Sequence, residues 1–393
     1  MEMNTEMNHT ITLLKKYIPR NFYRAKYNTK NIQMLKTWIG ILQEGIQHKT
    51  PQTIQMNQEI VQNIVDTELN YSPSMIYNEL KNTSYQIYSF IFQIGLRHIR
   101  IYFHIPVKKV FSYTKCKIQK HFEKIYLWFH FITKYAPKQC STDITVKLYF
   151  TNHKKTLNHL EPLDKIHVNS AFTTSCLPKT SIYIFREEEW FKVLMHESFH
   201  NLGLDFSSMD DNYSNTKILA LYPITSPNGI RIYESYCETW ATFFNSLFQS
   251  FFSTREKSNT DKIVEKTIAM MELECYFSLV QCAKILAHYD LTYQQLVSNK
   301  KEARKFVEKS HVLSYYIVKS VLLCNFDGFL TWCRTHNSNT IRFTKTYKNI
   351  DSYIKFITDI YKQPTFLEKM DYIQNHVVDN FRDNSLRMSL FGR

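Results

Sequence analysis

His196-Glu197-Ser198-Phe199-His200-Asn201-Leu202-Gly203 is the stretch whose reading decides the fold. It contains the pattern H-E-x-x-H, which has a mechanism behind it. On a helix, residues four apart stand one above the other on the same face. His196 and His200 would therefore point the same way and share one small cation. Zinc accepts imidazole nitrogen readily, and its catalytic sites keep three protein ligands and one open position. Glu197, one residue on from the first histidine, would sit within reach of a water there as general base.

The motif needs a helix, and the flanks supply one. Upstream, Ser181-Ile182-Tyr183-Ile184-Phe185 is rich in β-branched and aromatic residues and reads as a strand. Glu187, Glu188 and Glu189 follow, and acids in a first helical turn suit the positive end of the helix dipole. Trp190, Phe191, Val193, Leu194, Phe199 and Leu202 spread apolar side chains around most of the helix, as burial requires. Gly203 is placed to stop it.

Two imidazoles leave a third ligand to be found. A histidine three residues beyond Gly203 would complete the metzincin pattern, but that position is Phe206, which cannot bind a metal, and Asp205 falls one residue short. A second helix offers more. Arg231 to Phe244 is apolar, lacks Gly and Pro, and follows the turn signal Asn228-Gly229. Glu234 and Glu238 stand on it four residues apart, on one face. Carboxylates in an apolar helix call for a cation or a metal.

Glu238 followed by Ala241 resembles the Glu-x-x-Ala element of the gluzincin zinc metallopeptidases, and its distance from His200 is similar to the spacing in that group. The resemblance covers roughly residues 144–250 and rests on His196, Glu197, His200 and Glu238. It implies zinc (Zn2+) held by His196, His200 and Glu238, with Glu197 as general base. Glu234 would orient a histidine N–H, or exchange roles with Glu238 as the ligand. The resemblance further implies an edge strand for an extended peptide, for which His167 to Thr173 is the candidate. A later Tyr or His would steady the developing oxyanion, and His288, His311, Tyr315 and Tyr316 are the candidates.

Composition bounds the remainder. The 393 residues exceed what one small core organises. Only 7 glycines against 26 tyrosines and 28 phenylalanines favour helices packed by large side chains. Abundant Asn, Lys, Ile and Tyr suit an AT-rich genome such as that of a large DNA virus or a parasite. The net charge of +14 permits nucleic acid, an anionic membrane or acidic proteins as partners without choosing among them. The most basic segment, 97–138, interleaves ten Lys and Arg with aromatics such as Phe103, Phe122 and Trp128. It can bind nucleic acid by stacking, or form a helix with an aromatic core face and a solvated lysine face, which is the favoured reading. The eight cysteines include no C-x-x-C pair, so a cysteine-rich metal site is not indicated and Cys237 and Cys275 read as small buried hydrophobes. The polar N-terminus lacks a secretory pattern, and the apolar run Tyr85 to Leu96 is too short for a membrane span, so an intracellular protein is expected.

In chain order, residues 1–139 read as a helical N-terminal region and 140–255 as the zincin-like core. Within that core, Ile144 to Phe150 and Ser181 to Phe185 are strands, and Gly203 to Gly229 is a long polar loop. Residues 256–393 read as a helical C-terminal region. Its helices are expected from Thr260 to about His288, over Lys300 to Cys324, over Lys355 to Tyr361 and over Phe366 to Phe381. The expected fold is α+β and predominantly helical: a small mixed sheet, the active-site helix and the Glu-bearing helix, flanked by helical regions. The expected function is hydrolysis of protein or peptide substrates. The rival expectations are a zincin-like protein that binds zinc without proteolysis, as a structural or virion component, a zinc hydrolase acting on a non-peptide bond, and a basic nucleic-acid-binding protein with a chance motif.

Overall fold

A computed structural model describes residues 5–22, 26–47, 57–61, 67–158, 162–381 and 383–392. The fold is α+β and predominantly helical, with one mixed six-stranded sheet. The backbone divides into two compact units. A sheet unit holds Thr37–Lys154 and Ser170–Leu204, and a helical unit holds Met1–Lys36, Lys155–Asn169 and Asp205–Gly392. These units cross the boundaries expected at 139 and 255, because strands on both sides of residue 139 pair with each other.

The sheet unit is built on β1 (Asn57–Val61), β2 (Tyr85–Ile94), β3 (Arg97–Pro106), β4 (Asp143–Tyr149), β5 (Ala171–Thr173) and β6 (Lys179–Ile184). Their order is β1-β2-β3-β4-β6-β5. Strands β1, β2 and β3 form an antiparallel meander, β3, β4 and β6 run parallel, and β5 closes the far edge antiparallel to β6. The expected strands at 144–150 and 181–185 are β4 and β6. The edge strand expected over His167 to Thr173 is shorter: Lys165–Val168 is a helical turn capped by Asp164, and only Ala171–Thr173 pairs.

The helical reading of residues 1–139 fails at Tyr85–Pro106, which is a β-hairpin. Short apolar runs cannot be assigned to helix or strand by periodicity alone. Here the β-branched and aromatic content decides, together with Gly95, whose φ of +57° makes the turn between Ile94 and Arg97. The basic segment is thus β3 followed by a helix, Lys115–Ile132, capped by Thr114. Most of its aromatics turn inward: Phe103, Tyr113, Phe122, Trp128 and Phe129 are buried, and Phe122 stacks on Phe90 at 4.6 Å, whereas Tyr102 and Tyr126 are half-buried and Phe111 is exposed.

The motif helix, Trp190–Asn201, is buried along its whole length. Its start corrects the expectation about the acids. Glu189 precedes the first turn with a left-handed φ of +59°, and Glu187 lies further upstream, bonded to Lys109 Nζ at 2.7 Å and to the Tyr113 hydroxyl. Those partners draw it away from the helix dipole. The C-terminus follows the sequence closely. Gly203, at φ +65°, donates to His200 O, and Leu204 donates to Phe199 O, which is the Schellman arrangement.

The helical unit holds the acidic helix, Tyr233–Ser253, and a long helix, Thr260–His288, started by Asn259. Two expectations are corrected. The polar loop 203–229 contains a helix, Asp211–Leu221, whose N-terminus Asp210 caps. The single helix over 300–324 is broken into Lys300–Ala303, a π-helical segment Leu313–Val318, and Lys319–Cys324. The break is held by Glu308, whose carboxylate accepts the N–H groups of Val312 and Leu313 at 2.9 and 2.8 Å. The last helices are Tyr347–Ile360 and Pro364–His376, followed by a 3-10 turn, Val378–Asn380, rather than one run to Phe381. Among the described residues, no helix is long and apolar enough to cross a membrane.

Candidate metal centre

In the sheet unit the motif residues take the arrangement that their spacing requires. His196, Glu197 and His200 are 6%, 9% and 9% exposed. The two imidazoles face each other with Nε2 to Nε2 at 3.1 Å and ring planes 70° apart. Ligands at about 2.05 Å on a tetrahedral ion stand about 3.3 Å apart, so this pair of nitrogens is already near the separation that zinc needs. A direct bond between the two would require one ring to donate and the other to accept.

The backbone behind these rings is fixed from three directions. Ser175 Oγ donates to His200 O at 2.8 Å. The Cys176 N–H and Ser141 Oγ both donate to Asn201 O, at 2.9 and 2.6 Å. The Asn201 side chain donates to Thr173 Oγ1 and Thr174 O, which ties the end of the helix to β5. A disulfide, Cys140–Cys176, joins the segments that carry Ser141 and Ser175. On the other side, Trp128 Nε1 donates to Ser198 Oγ at 3.0 Å, and Ser198 Oγ donates on to Leu194 O. Ser198, the third residue of the motif, is therefore spent on holding the helix.

In the helical unit the two glutamates have different partners. Glu238, 1% exposed, lies 3.6 Å from Lys319 Nζ, which is equally buried. Lys319 also donates to Met388 O at 2.6 Å. Glu234, 7% exposed, accepts from the Tyr315 hydroxyl at 3.3 Å. Asp211, near Glu234, has its carboxyl raised above the ordinary range, mainly by burial, against the pull of Arg231.

The four oxyanion candidates separate. Tyr315 stands against Glu234, and His311 packs edge-on to the Tyr315 ring at 5.9 Å. Tyr316 is fully buried and donates to Leu386 O at 2.6 Å, a structural duty. His288 ends the long helix against Tyr289. Tyr315 and Tyr316 lie on the π-helical segment, an irregularity frequent at functional sites.

Sequence reasoning passed over one pair. Asp205 is fully buried and accepts from Cys237 Sγ at 3.7 Å and from Ser207 Oγ at 3.0 Å. The available signal was an acid just past the motif's glycine together with a cysteine beside Glu238. Comparison with known protein families, with characterised proteins and with solved structures gives no match.

Proposed function

We propose that this protein is a zinc-dependent metallopeptidase in which His196, His200 and a carboxylate of the acidic helix hold the ion and Glu197 is the general base. The observation that carries the reading is the 3.1 Å approach of two buried imidazole Nε2 atoms on one helix face. Of the two carboxylates, Glu234 is the better ligand. The spacing resemblance points to Glu238, but the charge of Glu238 is answered by Lys319 at 3.6 Å. The partner of Glu234 is a neutral phenol, which can orient a carboxylate oxygen without cancelling its charge.

Bound there, zinc would supply Lewis-acid polarisation of the scissile carbonyl. Glu197 takes a proton from the attacking water on a carboxylate oxygen and returns it to the departing amine nitrogen. Tyr315, donating to Glu234, keeps that carboxylate in place. Ser175 and Gly203 hold the His200 backbone so that its ring keeps its direction.

Metal analysis of the wild type beside His196→Ala, Glu234→Gln and Glu238→Gln tests the ligand set. Loss of zinc in the first two and retention in the third is expected, and full zinc in His196→Ala sinks the proposal. Glu197→Gln should keep zinc and lose hydrolysis of a peptide library. The deep burial of the motif favours a second reading, an ion held for structure alone. A zinc-loaded wild type with no chelator-sensitive cleavage of any peptide or unfolded protein selects it.

A further inference from the structure

A separate feature lies in the helical unit. Cys275 is buried on the long helix Thr260–His288, and Cys324, half-buried, ends the helix Lys319–Cys324. Their sulfurs stand 2.8 Å apart, 49 residues apart in the chain. A disulfide needs about 2.05 Å, so less than an ångström of movement closes the pair. Both side chains line a cavity of about 190 Å³, with Lys26, Lys369, Glu272 and Asp327 also on its wall. That volume holds roughly six waters at about 30 Å³ each, enough to admit a small oxidant.

We propose that Cys275 and Cys324 form an oxidisable dithiol that a small hydroperoxide, entering through this cavity, converts to a disulfide. Cys324, the less buried residue of the two, attacks a peroxide oxygen. The O–O bond breaks, one water leaves when the oxidant is hydrogen peroxide, and Cys324 becomes a sulfenic acid. Cys275 then attacks that sulfur, the S–O bond breaks, and a second water leaves. Two thiols and one peroxide thus give one disulfide and two waters, with two electrons passing from sulfur to oxygen. Burial and the neighbouring Cys275 hold the Cys324 thiol well above its ordinary pKa, while Lys369 pulls it back. The pair therefore rests as thiols and responds to a sustained oxidant rather than to traces. The product would staple the short helix to the long one, and that short helix begins with Lys319, the partner of Glu238.

The test is thiol titration and peptide mapping of the full chain before and after hydrogen peroxide, with denaturation only at readout. Six free cysteines are present beside the one disulfide. Titratable thiols should fall by two beyond any loss at exposed Cys116, with a Cys275–Cys324 crosslinked peptide that dithiothreitol reverses. Cys324→Ser should abolish the crosslink, and mapping of the wild type decides the matter even if that variant folds poorly. Recovery of both cysteines as alkylated thiols after exposed Cys116 has been oxidised overturns the proposal.

Discussion

Replacing Lys319 by Met tests the division of labour between the two glutamates. Lys319 and Glu238 are each 1% exposed and lie 3.6 Å apart. Removing one member of a buried ion pair leaves an uncompensated charge and costs about 3–5 kcal/mol. The variant also loses the 2.6 Å bond to Met388 O, a charge-assisted contact of the kind worth about 1.5–3 kcal/mol, part of which is already counted in the first figure. Lys319→Met is therefore expected to lose about 3–5 kcal/mol in urea unfolding followed by tryptophan fluorescence and circular dichroism. Adding Glu238→Gln removes the stranded charge and should recover about 1–3 kcal/mol relative to the single variant. The loss should also depend on pH. Burial raises the Glu274 carboxyl, and Lys319 is one of the groups that oppose the rise. Without Lys319 the folded-state value moves further up. A carboxyl raised on folding contributes stability below its unfolded value that is lost as pH climbs, so the deficit should widen above pH 4.5. A Lys319→Met protein within about 0.5 kcal/mol of wild type, or strict additivity in the double variant, refutes the reasoning.

Gly203→Ala should destabilise the end of the motif helix. Its φ of +65° costs an L side chain about 1–2 kcal/mol, and an added Cβ would meet the sulfurs of Cys176 and Cys140 at 3.1 and 3.2 Å. A lowered Tm is expected, and an unchanged one contradicts the cap. His121 is held neutral, with its pKa lowered by burial from 6.5 to about 3. The unfolded chain binds that proton first, so stability should fall as pH drops from 6.5 toward 3. In the His121→Phe variant that part of the slope should vanish, and an unaltered slope rules out the assignment.

The motif helix, the acidic helix and the long helix were legible because each carries its own boundary signals: Gly203 at one end, Asn228-Gly229 before another, Asn259 before the third. Strands β4 and β6 were legible from β-branched and aromatic alternation. The β2–β3 hairpin was not, because its strands are apolar on both faces in places and imitate buried helix. The helix Asp211–Leu221 hid in a polar stretch with only Ser214 and Ile218 buried. The break at Glu308 depends on a left-handed His311, and nothing local demands that conformation. At the site, His196, Glu197 and His200 come from one local pattern. Lys319 is 81 residues from Glu238 by chain numbering, and Cys140 is 36 from Cys176, so no spacing rule connects either pair.

The helical unit begins with Met1–Lys36, yet the polar partners that hold this segment come late. Asn31 Nδ2 donates to Asp327 O across 296 residues, and Asn28 joins the same carboxylate. At translation rates of about 5–20 residues per second, those 296 residues take about 15–60 s to follow Asn31 out of the ribosome. For roughly the first 229 of those residues, until Thr260 begins the long helix, the first helix Thr5–Tyr17 has nothing to pack against from it. The first segment therefore stays without its long-range partners through most of the chain's own synthesis.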